Sequence, residues 1–174
     1  NDNYNKVKFV VEDGSLTINP KSITPDGPNT PEDEKTGITV TDPADSIYDG
    51  KAHVNPLTVR DTKTGKDLVE NKDYTLTYSD DVTNVGTVKV TVKGKGNYTG
   101  EFTKKYQILP REYTVTTDSA NKTYDGTVLT AGGHVNGLVE GETVSFKITG
   151  SQINEGTSDN TYELKFEGTA AETN

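Results

Sequence analysis

The 174-residue chain sets 18 Lys and Arg against 27 Asp and Glu, for a formal charge of −9, with 29% hydrophobic residues and a mean hydropathy of −0.74. That acidity repels nucleic-acid phosphates, so lean an apolar content does not line a deep enzyme cleft, and the absence of cysteine excludes disulfides, thiolate nucleophiles and Cys-based zinc sites. The composition suits small modules with a high surface-to-volume ratio, and a disulfide-free exported bacterial protein better than a secreted eukaryotic domain.

Val7, Phe9 and Val11 alternate with polar residues, as do Leu16 and Ile18, before the Pro at position 20. Period-two alternation is the mark of a half-buried strand, and Asp13-Gly14 supplies a turn between these runs. Residues 19–36, NPKSITPDGPNTPEDEKT, hold four of the seven prolines and almost nothing apolar. Such a stretch favours an extended, solvated linker.

Beyond it, Tyr74, Leu76 and Tyr78 share one face of a strand, and Val88, Val90 and Val92 share one face of another. In the second half Val144, Phe146 and Ile148 repeat this pattern, as do Tyr162, Leu164 and Phe166. Asp49-Gly50, Gly94–Gly96, Asp125-Gly126, Gly132-Gly133 and Gly141 punctuate the runs. No stretch has a convincing 3.6-residue period, so the expectation is an all-β chain of antiparallel sheets. No run of about 18 apolar residues is present to form a membrane-spanning helix. There is no signal peptide and no initiator Met, and the chain reads as part of something larger.

The halves repeat each other. Thr41-Asp42, Ala44 and Tyr48-Asp49-Gly50 return 76 positions later as Thr117-Asp118, Ala120 and Tyr124-Asp125-Gly126. LVE at 68–70 returns at 138–140, and Asn84-x-Gly86-Thr87 returns as Asn154-x-Gly156-Thr157, both 70 positions later. The first copy then runs through Asn97-Tyr98 to a closing strand ending Ile108-Leu109-Pro110, whereas the second reaches Asn174 where the first has Asn97. Its closing strand is therefore expected from residues 3–20, which begin Asn3-Tyr4 and end Leu16, Ile18, Pro20. That segment is either the chain's own N-terminus folded back or a neighbouring molecule's, giving a head-to-tail contact.

YDG, KGKGNYTG at 93–100 with the strand to Pro110, NKTYDGT at 121–127, VNGLVEGE at 135–142 and DGSLTINP at 13–20 together resemble the YDG-type and MBG-type repeats of bacterial, mainly Gram-positive, cell-surface proteins and adhesins. The resemblance implies extracellular, wall-anchored or secreted, non-catalytic tandem modules, connected with adhesion or mucus binding. It carries no ligand and no binding residues. The expected organisation is residues 1–20 as closing strands, 21–36 as linker, 37–110 as a YDG-type module and 111–174 as an MBG-like module without its last strands. Immunoglobulin-like sandwiches are the preferred fold, with a β-grasp-like arrangement as the alternative.

The candidate positions are Tyr48, Asp49, Gly50, Tyr124, Asp125, Gly126, Asn84, Gly86, Asn154 and Gly156, read as structural marks of the duplicated module. Asp-Gly turns the chain, and the preceding Tyr buries its ring while its hydroxyl seeks an acceptor. The competing reading makes Tyr48 and Tyr124 exposed platforms for a sugar. Asp42, Asp45, Asp80, Asp81 and Glu32–Glu34 lack the spacing of a calcium loop and read as solvated charge. His53 and His134 follow the two YDG motifs at different distances, so they are not equivalent, and no GxSxG, HExxH or phosphate loop is present. Neither a catalytic nor a metal or cofactor site is expected. The expected function is a spacer of a large adhesin, with direct binding of host glycan, mucin or matrix protein as the alternative.

Overall fold

The computed structural model describes residues 12–167, and every element in them is a strand. Strand β1 (Lys21–Ser22) precedes the first copy, which holds β2 (Ile38–Thr41), β3 (Ser46–Ile47), β4 (Thr58–Asp61), β5 (Lys66–Asp67), β6 (Tyr74–Tyr78), β7 (Gly86–Gly94), β8 (Tyr98–Thr99) and β9 (Glu101–Leu109). The second copy holds β10 (Thr114–Thr117), β11 (Gly133–Asn136), β12 (Thr143–Ile148) and β13 (Tyr162–Glu167). The chain is all-β, as its alternation requires. Val7, Phe9, Val11 and Asn3-Tyr4 lie outside the described residues.

In the first copy β3-β9-β7-β6 form one sheet and β2-β4-β5 another. Their inward residues make a common core: Ile38 and Val59 from the smaller sheet meet Tyr74, Val90 and Val92 from the larger. The alternation of β7 is complete, since Val88, Val90 and Val92 are 1%, 0% and 0% exposed and the Lys and Thr residues between them face outward. Each fully buried aliphatic side chain of this kind contributes about 1.5–3 kcal/mol relative to exposure.

The proline-rich segment is more ordered than its composition predicts. Lys21–Ser22 pair in parallel with Tyr98–Thr99, and Ile23 is fully buried in the first-copy core. Asp61, also fully buried, receives Lys21 Nζ at 2.7 Å, the Tyr98 hydroxyl at 3.1 Å and the backbone N–H groups of Lys63 and Thr64. Further along, Asp26 accepts the N–H groups of Thr36 and Gly37 and closes residues 26–37 into a loop. One isoleucine and two aspartates outweigh the prolines here. By contrast, Glu12–Asn19 form no strand, and Leu16 and Ile18 are 103% and 98% exposed.

The second copy repeats the pairing of the first. Ile38↔Asp61 and Val40↔Val59 between β2 and β4 reappear as Thr114↔Asn136 and Thr116↔His134 between β10 and β11. Tyr74↔Gly94 and Tyr78↔Val90 between β6 and β7 have as counterparts Val144↔Phe166 and Ile148↔Tyr162 between β12 and β13, with β12 at an offset of 70 and β13 at an offset of 72. Even the turn after LVE is conserved between copies: Asn71 and Gly141, 70 positions apart, both take positive φ, 66° and 89°. One element is not repeated. β9 pairs with both β7 and β3 in the first copy, and no described strand takes its place beside β13. Accordingly, among the described residues, twelve of the thirteen buried hydrophobic residues lie between Ile23 and Ile108, and only Val139 belongs to the second copy.

Candidate functional site at the junction of the two copies

Asp49 and Asp125 build the same turn. Each Oδ1 accepts a backbone N–H two residues on, from Lys51 and from Thr127, both at 2.9 Å. Gly50 and Gly126 follow at φ 77° and 76°, a left-handed conformation that a Cβ destabilises by about 1–2 kcal/mol. The Lys51 N–H, with His53 Nε2 at 2.9 Å, holds the Asp49 carboxyl below the usual carboxylate range. Lys122, whose Nζ lies 2.7 Å from Asp125 Oδ1, and Thr127 hold Asp125 well below that range.

The tyrosines diverge. Tyr48 is 8% exposed, packed with Val88, Tyr106 and Ile108 of its own copy and with Val139 of the second. Its backbone N–H reaches Leu109 O at 2.9 Å, and its hydroxyl donates to Glu142 Oε1 at 2.7 Å. That bond to a carboxylate, together with burial, raises the phenol pKa. A Cβ on Gly50 would stand 2.8 Å from Val139 Cγ1, so the glycine also makes room for the second copy. Glu142 Oε2 meets the Val139 N–H at 3.4 Å and steadies the turn that presents Val139. The first YDG is thus the seat of a joint between the copies.

Tyr124, by contrast, is 67% exposed, and a Cβ on Gly126 would meet nothing within 4 Å. Exposed Val128 and Ile153 lie in the same copy. Tyr124 borders a groove of about 480 Å³, which adjoins one of about 600 Å³, between residues 117–131 and 150–160.

The paired NxGT landmarks are alike only in backbone. Gly86 and Gly156 take φ 153° and 135°. Asn84 is bound to Asp81 through its N–H and its side-chain amide, both at 2.9 Å, whereas Asn154 offers its carbonyl to Gln152 Nε2.

Four of the acids singled out in the sequence have partners of their own. Asp42 pairs with Lys104 at 2.6 Å, Asp45 accepts the Gln107 N–H, Asp81 closes its turn with Thr83 and Asn84, and Glu32 pairs with Lys35. Among the described residues no three His, Asp or Glu side chains are grouped to hold a metal ion. His53 binds Asp49 beside the first turn, while His134 sits on β11 opposite Thr116. The expectation that the YDG tyrosine buries its ring holds for Tyr48 and fails for Tyr124, which has no described strand over it, and sequence reasoning missed Val139 and Glu142 as the partners of Tyr48. The signal was present in VNGLVEGE, whose exposed-looking Val and Glu flank a turn. The match of that turn to LVEN, however, gave no hint of which copy touches which.

No family model matches the chain, and neither a curated protein nor a solved structure does.

Proposed function

We propose that the chain is a non-catalytic repeat segment of a large bacterial cell-surface protein, a spacer that holds a distal binding domain of an adhesin away from the wall. In this reading residues 37–110 and 111–174 are tandem, mainly antiparallel β modules, immunoglobulin-like in arrangement, and the protein is extracellular. The observation that carries it is the use made of the duplicated motif. In the first copy Tyr48 and Gly50 are taken up by Val139 and Glu142 of the next copy, so the motif spends its chemistry on a connection between repeats. The resemblance of the ordered landmarks to YDG-type and MBG-type surface repeats supports the same reading.

A second reading has one specific observation behind it. Tyr124 is an exposed ring beside a groove, the arrangement a sugar-stacking platform uses. A mucin pull-down and glycan array on the chain separate the two. A spacer binds nothing above background, whereas a platform binds a sugar and loses it on Tyr124→Ala.

A further inference from the structure

The groove of the second copy is the counterpart of a place that is filled in the first. In the first copy β9 lies between β3 and β7, pairing in parallel with Ser46–Ile47 and in antiparallel register from Gly86 to Lys93. It brings Tyr106 and Ile108 over Tyr48. In the second copy both walls are present. Asp118–Tyr124 repeats residues 42–48, and Gln152–Ser158 repeats residues 82–88. Beside these walls lie two adjoining depressions of about 600 and 480 Å³, which share Ala120, Leu129, Gln152, Thr157 and Ser158, with Leu129 and Gln152 bonded to each other through their backbones. Tyr124 stands uncovered at their edge.

A matching strand exists elsewhere in the chain. Leu16-Thr17-Ile18-Asn19-Pro20 repeats the order of Tyr106-Gln107-Ile108-Leu109-Pro110: apolar, polar, apolar, any residue, proline. Leu16 therefore falls where Tyr106 does, and Ile18 where Ile108 does. These two side chains are fully solvated in a segment that forms no strand of its own. Large aliphatic side chains alternating along an unpaired segment are what an open sheet edge accepts.

The source of the strand is fixed by its tether. Lys21, next after Pro20, is held on the first copy by Asn97 O, Tyr98 and Asp61. That anchor lies at the β8 turn, where β9 begins, whereas the second copy follows the far end of β9. The nine residues of β9 span about 27 Å at the usual strand rise. A segment tied one residue from this anchor does not reach the groove of its own chain unless β1 peels away.

We propose that residues Leu16–Pro20 of one copy of the chain insert as a strand into the second-copy groove of another, between Lys122–Thr123 and Gly156–Asn160, covering Tyr124 with Leu16 and Ile18. The contact is heterologous, so it propagates head to tail rather than closing as a symmetric dimer. This deepens the spacer reading by giving the rule by which successive units join. Its test reads strand insertion alone, and is independent of any glycan result.

The double variant Leu16→Asp, Ile18→Asp alters only fully exposed side chains, so it keeps the fold and loses the donor. Sedimentation velocity over a hundredfold concentration range is expected to show wild type growing into dimers and longer species and the variant remaining monomeric. A labelled synthetic peptide of residues 12–20 is then expected to bind the variant saturably at one per chain. It should slow amide exchange across residues 156–163 at least tenfold, while a peptide carrying both Asp substitutions has no effect. A peptide that fails to bind, a variant that associates like wild type, or a monomeric wild type would each overturn the proposal. If monomeric wild type already shows residues 156–163 protected, the groove is closed within one chain and the intermolecular contact is wrong.

Discussion

The two YDG turns are nearly superimposable in their backbone logic and opposite in their surroundings. Asp49 and Asp125 make the same 2.9 Å bond two residues on, and Gly50 and Gly126 differ by one degree in φ. Yet Tyr48 is buried and Tyr124 is two-thirds exposed. The turn is thus local and depends on three residues, while the burial of its tyrosine is tertiary. It requires a β9-type strand on one side and the LVE turn of a neighbouring copy on the other. A motif can be duplicated without its environment, and that difference separates a finished joint from an open one.

The comparison can be broken most sharply at the tyrosines. Tyr48→Ala empties the junction and is expected to cost about 3 kcal/mol of stability in chemical denaturation, as large-to-small core changes do. Tyr124→Ala should stay within about 0.5 kcal/mol, as exposed substitutions do. Equal costs would mean that the two sites are packed alike.

Asp61 comes next. Replacing it by Ala leaves Lys21 half-buried without its partner and is expected to cost on the order of 2–3 kcal/mol, with residues 21–23 losing amide protection first. The same anchor responds to acid. Burial would raise the Asp61 pKa, but the bonds from Lys21, Thr64 and Tyr98 outweigh it and hold the group below the usual carboxylate range. The Asp61 contribution is therefore complete above about pH 4 and is lost as pH falls through the lower folded value. Exchange at residues 21–23 should accelerate below pH 4 before the β7 amides respond.

At the glycines, Gly50→Ala and Gly126→Ala share the left-handed penalty of about 1–2 kcal/mol. Only Gly50→Ala also drives a Cβ into Val139, so thermal melts should show it as the more destabilising of the pair. The smallest effect sharpens the joint itself. Glu142→Gln weakens one charge-assisted bond to Tyr48 by about 1 kcal/mol. Because the Tyr48 pKa is raised, its contribution is present below pH 10 and lost as pH climbs above it. Ultraviolet titration should show one tyrosine moving back toward pH 10 in the variant.

Much of this fold was legible because side-chain alternation is a local property. Val88, Val90 and Val92, and Val144, Phe146 and Ile148, fall in strands β7 and β12 as their spacing demands. The duplicated order YDG, LVE, NxGT is accompanied by the same strand pairings in both copies, β2–β4 with β10–β11 and β6–β7 with β12–β13, although the β13 side is displaced by two residues from the offset of the motifs. Composition misled at residues 21–24. A proline-rich average hides a single Ile23 that enters the core and a Lys21 that neutralises a buried Asp61 forty residues away. The junction was illegible for a related reason. Tyr48 and Glu142 are 94 positions apart, and nothing near either residue reports the other.

Tetranitromethane nitration at low protein concentration, with the modified residues mapped by mass spectrometry, tests the difference between the two turns most directly. Tyr124 should be nitrated at the rate of an exposed phenol, while Tyr48 stays protected until the chain unfolds. Nitration of Tyr48 as fast as Tyr124 in the native protein would contradict the joint between the copies.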